Sequence, residues 1–159
     1  MGQYYKIVNL DKKEFIHPHK LGDGLKLLEF GCSKNGTMTV LAILLVNSNG
    51  RGGGDIESDS KMVGRWAGDR IVVAGEYGKE GDVAFDAYQR CGRGENDEPP
   101  EFRDVSYEAL LAVLDDTYIC ADVANSKAFA GVRDRDAKGG DDLARAVVAK
   151  LAASKSAMR

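Results

Sequence analysis

The chain has 159 residues, 43% hydrophobic and 30% charged, with a formal net charge of −3 and a pI of about 5.4. That length and apolar share suffice for a folded core without disulfide staples and exclude wholesale disorder. The acidic balance excludes a general nucleic-acid binder, which needs surplus Lys and Arg to displace counterions from phosphates.

The three cysteines, Cys32, Cys91 and Cys120, form no C-x-x-C pair, so neither a zinc knuckle nor a thioredoxin-type redox site is indicated. Reduced thiols and a cytoplasmic location are the expectation. The opening residues Met1-Gly2-Gln3-Tyr4-Tyr5-Lys6 show no apolar signal-peptide core, and Lys6 stands where a myristoylation site wants Ser or Thr. The longest apolar run, around Val40 to Val46, is about half of what a bilayer span requires, so no membrane association is expected.

In chain order, residues 4–10 are rich in β-formers, and Asp11-Lys12-Lys13 turns them back into 14–17 as an antiparallel hairpin. Pro18 ends that second strand, because it lacks the N–H that a ladder needs. Residues 25–30 are ambiguous in period. Residues 38–46 fit a helix opened by Asn35-Gly36-Thr37, with Thr37 as cap. Their β-branched Thr39, Val40, Ile43 and Val46 also suit a buried strand, although length favours the helix.

A glycine-rich stretch follows at 47–55, Asn-Ser-Asn-Gly-Arg-Gly-Gly-Gly-Asp. It occupies the usual place of a phosphate loop but lacks the last Gly of G-x-G-x-x-G and the Lys-Ser/Thr of a P-loop. No helix opens after it to aim backbone N–H groups at an anion. Residues 47–61 are therefore expected to form a surface loop. Residues 70–74 form the clearest strand, with 62–66 as its expected hairpin partner through a turn at 67–69. A short helix is expected at 84–91, a break at 92–101, a helix at 107–115 capped by Ser106, and a strand at 117–121.

The last helix has Asp141 and Asp142 at its positive end, with Leu143, Ala144, Val147, Val148 and Leu151 as inner face. Fraying is expected from Ala152 onward. Strands early and helices late predict an α+β fold: one domain over 1–159, with a small mainly antiparallel sheet, helices packed on one face and a weak internal boundary near 92–101.

Several groups are candidates for chemistry. His17-Pro18-His19 holds both histidines, and alternate residues of a strand share a face, so the pair is a candidate metal chelate completed by Asp23 or Glu14. The alternative is two turn histidines. Asp55, Glu57 and Asp59 form an acidic loop, either a hard-cation site or a solvated surface; an EF-hand is excluded by Ser60 and Trp66. Asp69 and Glu76 flank the 70–74 strand. Cys32 lies between Gly31 and Ser33 without a protease signature. Trp66, beside Arg65 and Arg70, is either a partner-binding anchor or a core aromatic pinned against the strand.

Gly2-Gln3-Tyr4-Tyr5-Lys6, Gly24-Leu25-Lys26-Leu27-Leu28-Glu29 and the run from Trp66 through Tyr77 resemble a group of small uncharacterised proteins of bacteria and their phages. The likeness covers three islands in the first half of the chain, with Glu76 where that group carries Asp. It implies an accessory, phage-linked protein and assigns no residue a role.

The leading expectation is a non-enzymatic binding module without a cofactor, contacting a protein or small-molecule partner through Arg51, Asp55, Arg65, Trp66 and Asp69. One alternative is a metal- or carboxylate-dependent hydrolase-like enzyme drawing on His17, His19, Asp55, Asp69 and Glu76. Another is a self-associating assembly protein, a homo-oligomer.

Overall fold

The computed structural model of the chain describes residues 2–49, 54–92, 99–125 and 130–157. Tyr5–Asn9 (β1) pairs antiparallel with Glu14–Ile16 (β2), setting Ile7 opposite Ile16 and Val8 opposite Phe15. Pro18 ends β2 as expected and opens a 3-10 turn, Pro18–Leu21. Ile71–Gly75 (β3) pairs antiparallel with the other edge of β1. The two-residue Arg103–Asp104 (β4) runs parallel to β2, giving the order β3-β1-β2-β4 and a mixed sheet. Seven helices accompany it among the described residues: Leu27–Gly31 (α1), Thr37–Leu45 (α2), Val83–Arg90 (α3), Ser106–Val113 (α4), Thr117–Asn125 (α5), Ala130–Lys138 (α6) and Asp142–Ala157 (α7). The fold is α+β.

Neighbouring residues of a strand point to opposite faces, and Ile7 and Val8 are both fully buried, so the sheet is covered on both sides. Ile7 and Ile16 meet Leu21, Phe30, Val40, Leu44, Trp66 and Leu110 in the larger cluster. Val8, Phe15 and Ala74 meet Ala87 and Tyr88 of α3, together with Phe102, in the smaller one. The single-faced arrangement expected from the sequence is corrected to this extent: α3 covers the second face.

Three local expectations are also corrected. Residues 117–121 are helical, because the Asp116 carboxylate accepts the N–H groups of Tyr118 and Ile119 at 3.0 and 3.1 Å. Those are free donors of a first turn, and their capping outweighs the β-preference of the side chains. Residues 62–66 form turns rather than a strand, and β3 takes β1 as its partner instead. α7 stays helical to Ala157, with Ala144 and Val147 buried and Leu143 39% exposed, outside the expected inner face. α6, over 130–138, has no counterpart in the sequence reading.

Residues 38–46 resolve as helix, and both ends of α2 are held from a distance. Its Thr37 N–H donates to Asp23 Oδ2 at 2.6 Å, so the cap is Asp23 rather than the Thr37 hydroxyl. A Cβ at Gly36 would lie 2.4 Å from that same oxygen, which is why a glycine precedes the helix. At the other end, the N–H groups of Gly64 and Trp66 donate to the carbonyls of Ile43 and Leu44, both at 2.8 Å. The last carbonyls of a helix lack internal donors, and here the returning loop supplies them.

Glu14 draws three segments together. Its side chain is 3% exposed, and its oxygens accept from Arg65 Nε at 3.0 and 3.1 Å, Trp66 Nε1 at 2.8 Å and Arg103 Nη2 at 3.1 Å. Burial opposes the charge, but the donors from Arg65, Trp66 and Arg103 more than offset it and hold the carboxyl at about 2. A carboxyl whose folded pKa lies below its ordinary 4.5 contributes stability above that pH and loses it as the pH falls toward about 2. Glu14→Gln should therefore cost about 3 kcal/mol at neutral pH, because a neutral amide loses the charge-assisted bonds that hold the buried carboxylate ionised. Urea denaturation checks this: the gap between wild type and variant should close as the pH falls from 4.5 toward 2.

Candidate functional site

The polar segment after the glycines stays at the surface because it is tied down at three points. Asn49 Nδ2 donates to the Ile56 carbonyl at 2.6 Å, and the Ile56 N–H returns a bond to Asn49 Oδ1 at 3.0 Å. One amide side chain thus clamps the base of the loop in the manner of a strand pair. Ser58 Oγ donates to Asp115 Oδ2 at 2.6 Å, tethering the loop to the corner between α4 and α5. Ser58 and Ser60 then accept from the N–H groups of Ser60 and Met62, each at 3.2 Å, bending the chain toward α2.

Between this segment, α2 and the start of α5 lies an open cleft of about 1780 Å³. Met38, Ile43, Val63 and Ile119 give it an apolar floor, and Tyr118, 88% exposed, stands at its rim. Asp55, Glu57, Asp59, Asp115 and Asp116 supply the charge, and no Lys, Arg or His is among its described lining residues. Asp115 is engaged by Lys150 and Ser58, and Asp116 caps α5. Glu57 and Asp59 are exposed, and neither enters an ion pair among the described residues.

A second cavity, of about 680 Å³, opens on the Val8 face of the sheet. Lys6, Phe15 and His17 come to it from alternate positions of the hairpin, and His19, Lys20, Asp104 and Asp136 complete much of its wall. The His17 and His19 rings lie 5.5 Å apart, centroid to centroid. No group of three or more His, Cys, Asp or Glu among the described residues could hold a metal ion. The proposed third ligands are committed elsewhere, Asp23 to the Thr37 N–H and Glu14 to its two arginines and the indole. Cys91 also lines this cavity, and burial pushes its thiol up to about 12, so it is a protonated wall rather than a nucleophile.

The residues expected to form one contact surface are distributed over separate places. Arg51 lies outside the described residues. Asp55 lines the acidic cleft. Trp66 is fully buried, which corrects its reading as an outward anchor: its ring fills the core and its N–H serves Glu14. Arg65 also donates to that carboxylate, with its side chain 32% exposed. Asp69 accepts from Lys12 Nζ at 2.5 Å and Asn9 Nδ2 at 2.8 Å and so braces the hairpin turn. Glu76 accepts the Tyr4 N–H at 3.0 Å. The acid and imidazole set of the hydrolase-like alternative is thereby split, with Asp55 in one cleft, His17 and His19 in the other, and Asp69 and Glu76 in neither.

Sequence reasoning missed Asp115, Asp116 and Tyr118, because a strand was expected where α5 begins. The Asp-Asp-Thr run before an apolar stretch is a helix-start signal that marks them. It also missed Lys6, whose signal is a charged residue at an inward position of an apolar strand. No protein-family model, curated protein or solved structure matches the chain. No described helix is long and apolar enough to cross a membrane.

His17 gives this region a pH signature. Burial, followed by the Lys6 ammonium, keeps the imidazole neutral and lowers its pKa to about 4. Between 6.5 and about 4 the unfolded chain binds a proton that the folded chain refuses, so stability should fall as the pH drops through that window. The ring resonances of His17 should titrate near pH 4 by NMR, and His17→Asn should flatten the stability slope over the same range. A midpoint at the ordinary 6.5 would contradict this placement of the ring.

Proposed function

We propose that this protein is a binding module that receives a cationic segment of a partner protein in the acidic cleft. The observation that carries the reading is the composition of the cleft: five carboxylates over an apolar floor, with no cation among the described residues that line it. Concave walls of low dielectric focus the field of like charges and raise the local concentration of an oppositely charged ligand. Lys and Arg suit such a surface because their stems pack on apolar groups while their heads stay polar. Met38 and Ile43 offer the apolar contact, Tyr118 an exposed ring face for a guanidinium, and Glu57 and Asp59 carboxylates without a prior ion pair. The same charge disfavours nucleic acid here. Of the region first expected to make contact, residues 54–60 and Val63 line the cleft, whereas Met62 and Trp66 serve the core.

The test is fluorescence anisotropy with a labelled peptide rich in Arg and Leu, against a counterpart in which Glu replaces Arg. The cationic peptide should bind and the acidic one should not, with affinity falling as salt rises. Reversing both free carboxylates, Glu57→Lys with Asp59→Lys, should weaken binding at least about tenfold, or about 1.4 kcal/mol. Both positions are exposed, so the melting temperature should change little. Equal binding by wild type and the double variant, or no discrimination between the peptides, would overturn the reading.

A further inference from the structure

The second cavity holds a charge that the fold does not neutralise. Lys6 is only 4% exposed, yet among the described residues its ammonium enters no ion pair. It donates to the Gly92 carbonyl and lies 4.7 Å from the Tyr88 ring centroid and 5.6 Å from that of Phe15. A buried ammonium without a carboxylate is costly to the folded chain, and ring faces and one carbonyl offset only part of that cost.

The acids that share the cavity are already engaged. Asp104 accepts the N–H and hydroxyl of Ser106 at 2.9 and 2.6 Å and pairs with Lys20 at 2.9 Å. Asp136 accepts the Tyr107 hydroxyl at 2.7 Å and lies 3.5 Å from Arg135 Nε. Asp141 accepts the Ala144 N–H at 3.0 Å as the cap of α7. Beside Lys6, His17 has a buried Nδ1 with no hydrogen-bond partner, on a ring that stays neutral at physiological pH. Lys6, whose ammonium enters no ion pair among the described residues, and His17, whose Nδ1 has no partner, therefore line one cavity. Its volume of about 680 Å³ suits a metabolite rather than a macromolecule.

We propose that this cavity binds a small organic oxyanion, a carboxylate or phosphate monoester, with Lys6 Nζ as the charged donor and the His17 imidazole as a neutral hydrogen-bond partner. Lys20 and Arg135 stand at the same wall, each held by its own aspartate, which leaves Lys6 as the cation available to an anion. The site is separate from the acidic cleft and does not depend on that reading.

Inorganic phosphate and succinate are the probes, each titrated into the full chain at pH 7 while the His17 ring resonances are followed by NMR. At least one should shift them saturably, and which one does distinguishes a phosphorylated ligand from a carboxylate. Calorimetry should show binding at least about tenfold weaker in Lys6→Met. That variant should melt at or above the wild-type temperature, since it relieves a buried unpaired charge. The Glu57→Lys, Asp59→Lys variant should bind the anion as wild type does. If neither anion moves the His17 resonances of the wild-type chain, or if Lys6→Met binds equally well, the assignment is overturned.

Discussion

One carboxylate, Glu14, stands where three parts of this chain must meet. It arrives from the second strand, and its donors come from the loop that returns from α2 and from the last strand. A lone buried carboxylate would be driven to protonate, and here two guanidinium groups and an indole N–H keep it ionised. The consequence is geometric as much as energetic. Arg65 and Trp66 cannot reach Glu14 unless the loop crosses the end of α2, and once there Gly64 and Trp66 supply the donors that α2 lacks. Gly64 is required at that crossing by its φ of +73° and by the Val46 carbonyl, which a Cβ would approach to 2.6 Å.

From that anchor the outward part of the loop inherits its position. With Trp66 sealed and Asn49 clamping Ile56, Glu57 and Asp59 are left exposed beside α2, and the Ser58–Asp115 bond joins their segment to the start of α5. The acidic cleft is what remains between these fixed points. On the opposite side of the sheet, strand alternation brings Lys6, Phe15 and His17 to a second, differently charged cavity. One recess has carboxylates as the only charged groups among its described lining residues, and the other holds a buried ammonium outside any ion pair among the described residues. Both features underlie the binding role proposed for this protein.

The hairpin, the strand at 71–75 and the helices at 83–90 and 106–113 were legible because hydrophobic period, turn residues and Pro18 agree there, whereas at 37–45 only the length of the run favoured helix over strand. The strand expected at 117–121 failed because the periodicity of Ile119 and its neighbours is too short to separate the two states, and the deciding cap at Asp116 sits outside that window. α6 escaped because its run Val-Arg-Asp-Arg-Asp-Ala-Lys presents no continuous apolar face from which a helix could be inferred. For the site, the acidic loop residues were visible, but their partners at 115–118 lie more than fifty positions away in the chain. Trp66 is the clearest lesson. Its neighbours Arg65 and Arg70 suggested an interface, whereas the decisive partner was Glu14, an acid inside a strand, which composition alone does not pair with an indole.

The central claim is that the indole N–H of Trp66 is locked to a buried carboxylate and opens only when the whole chain unfolds. Hydrogen exchange of that Nε1–H, followed by NMR, measures this directly. The account predicts a protection free energy equal to that of global unfolding from denaturant titration. Exchange at a rate set by local opening, well below the global value, would contradict it.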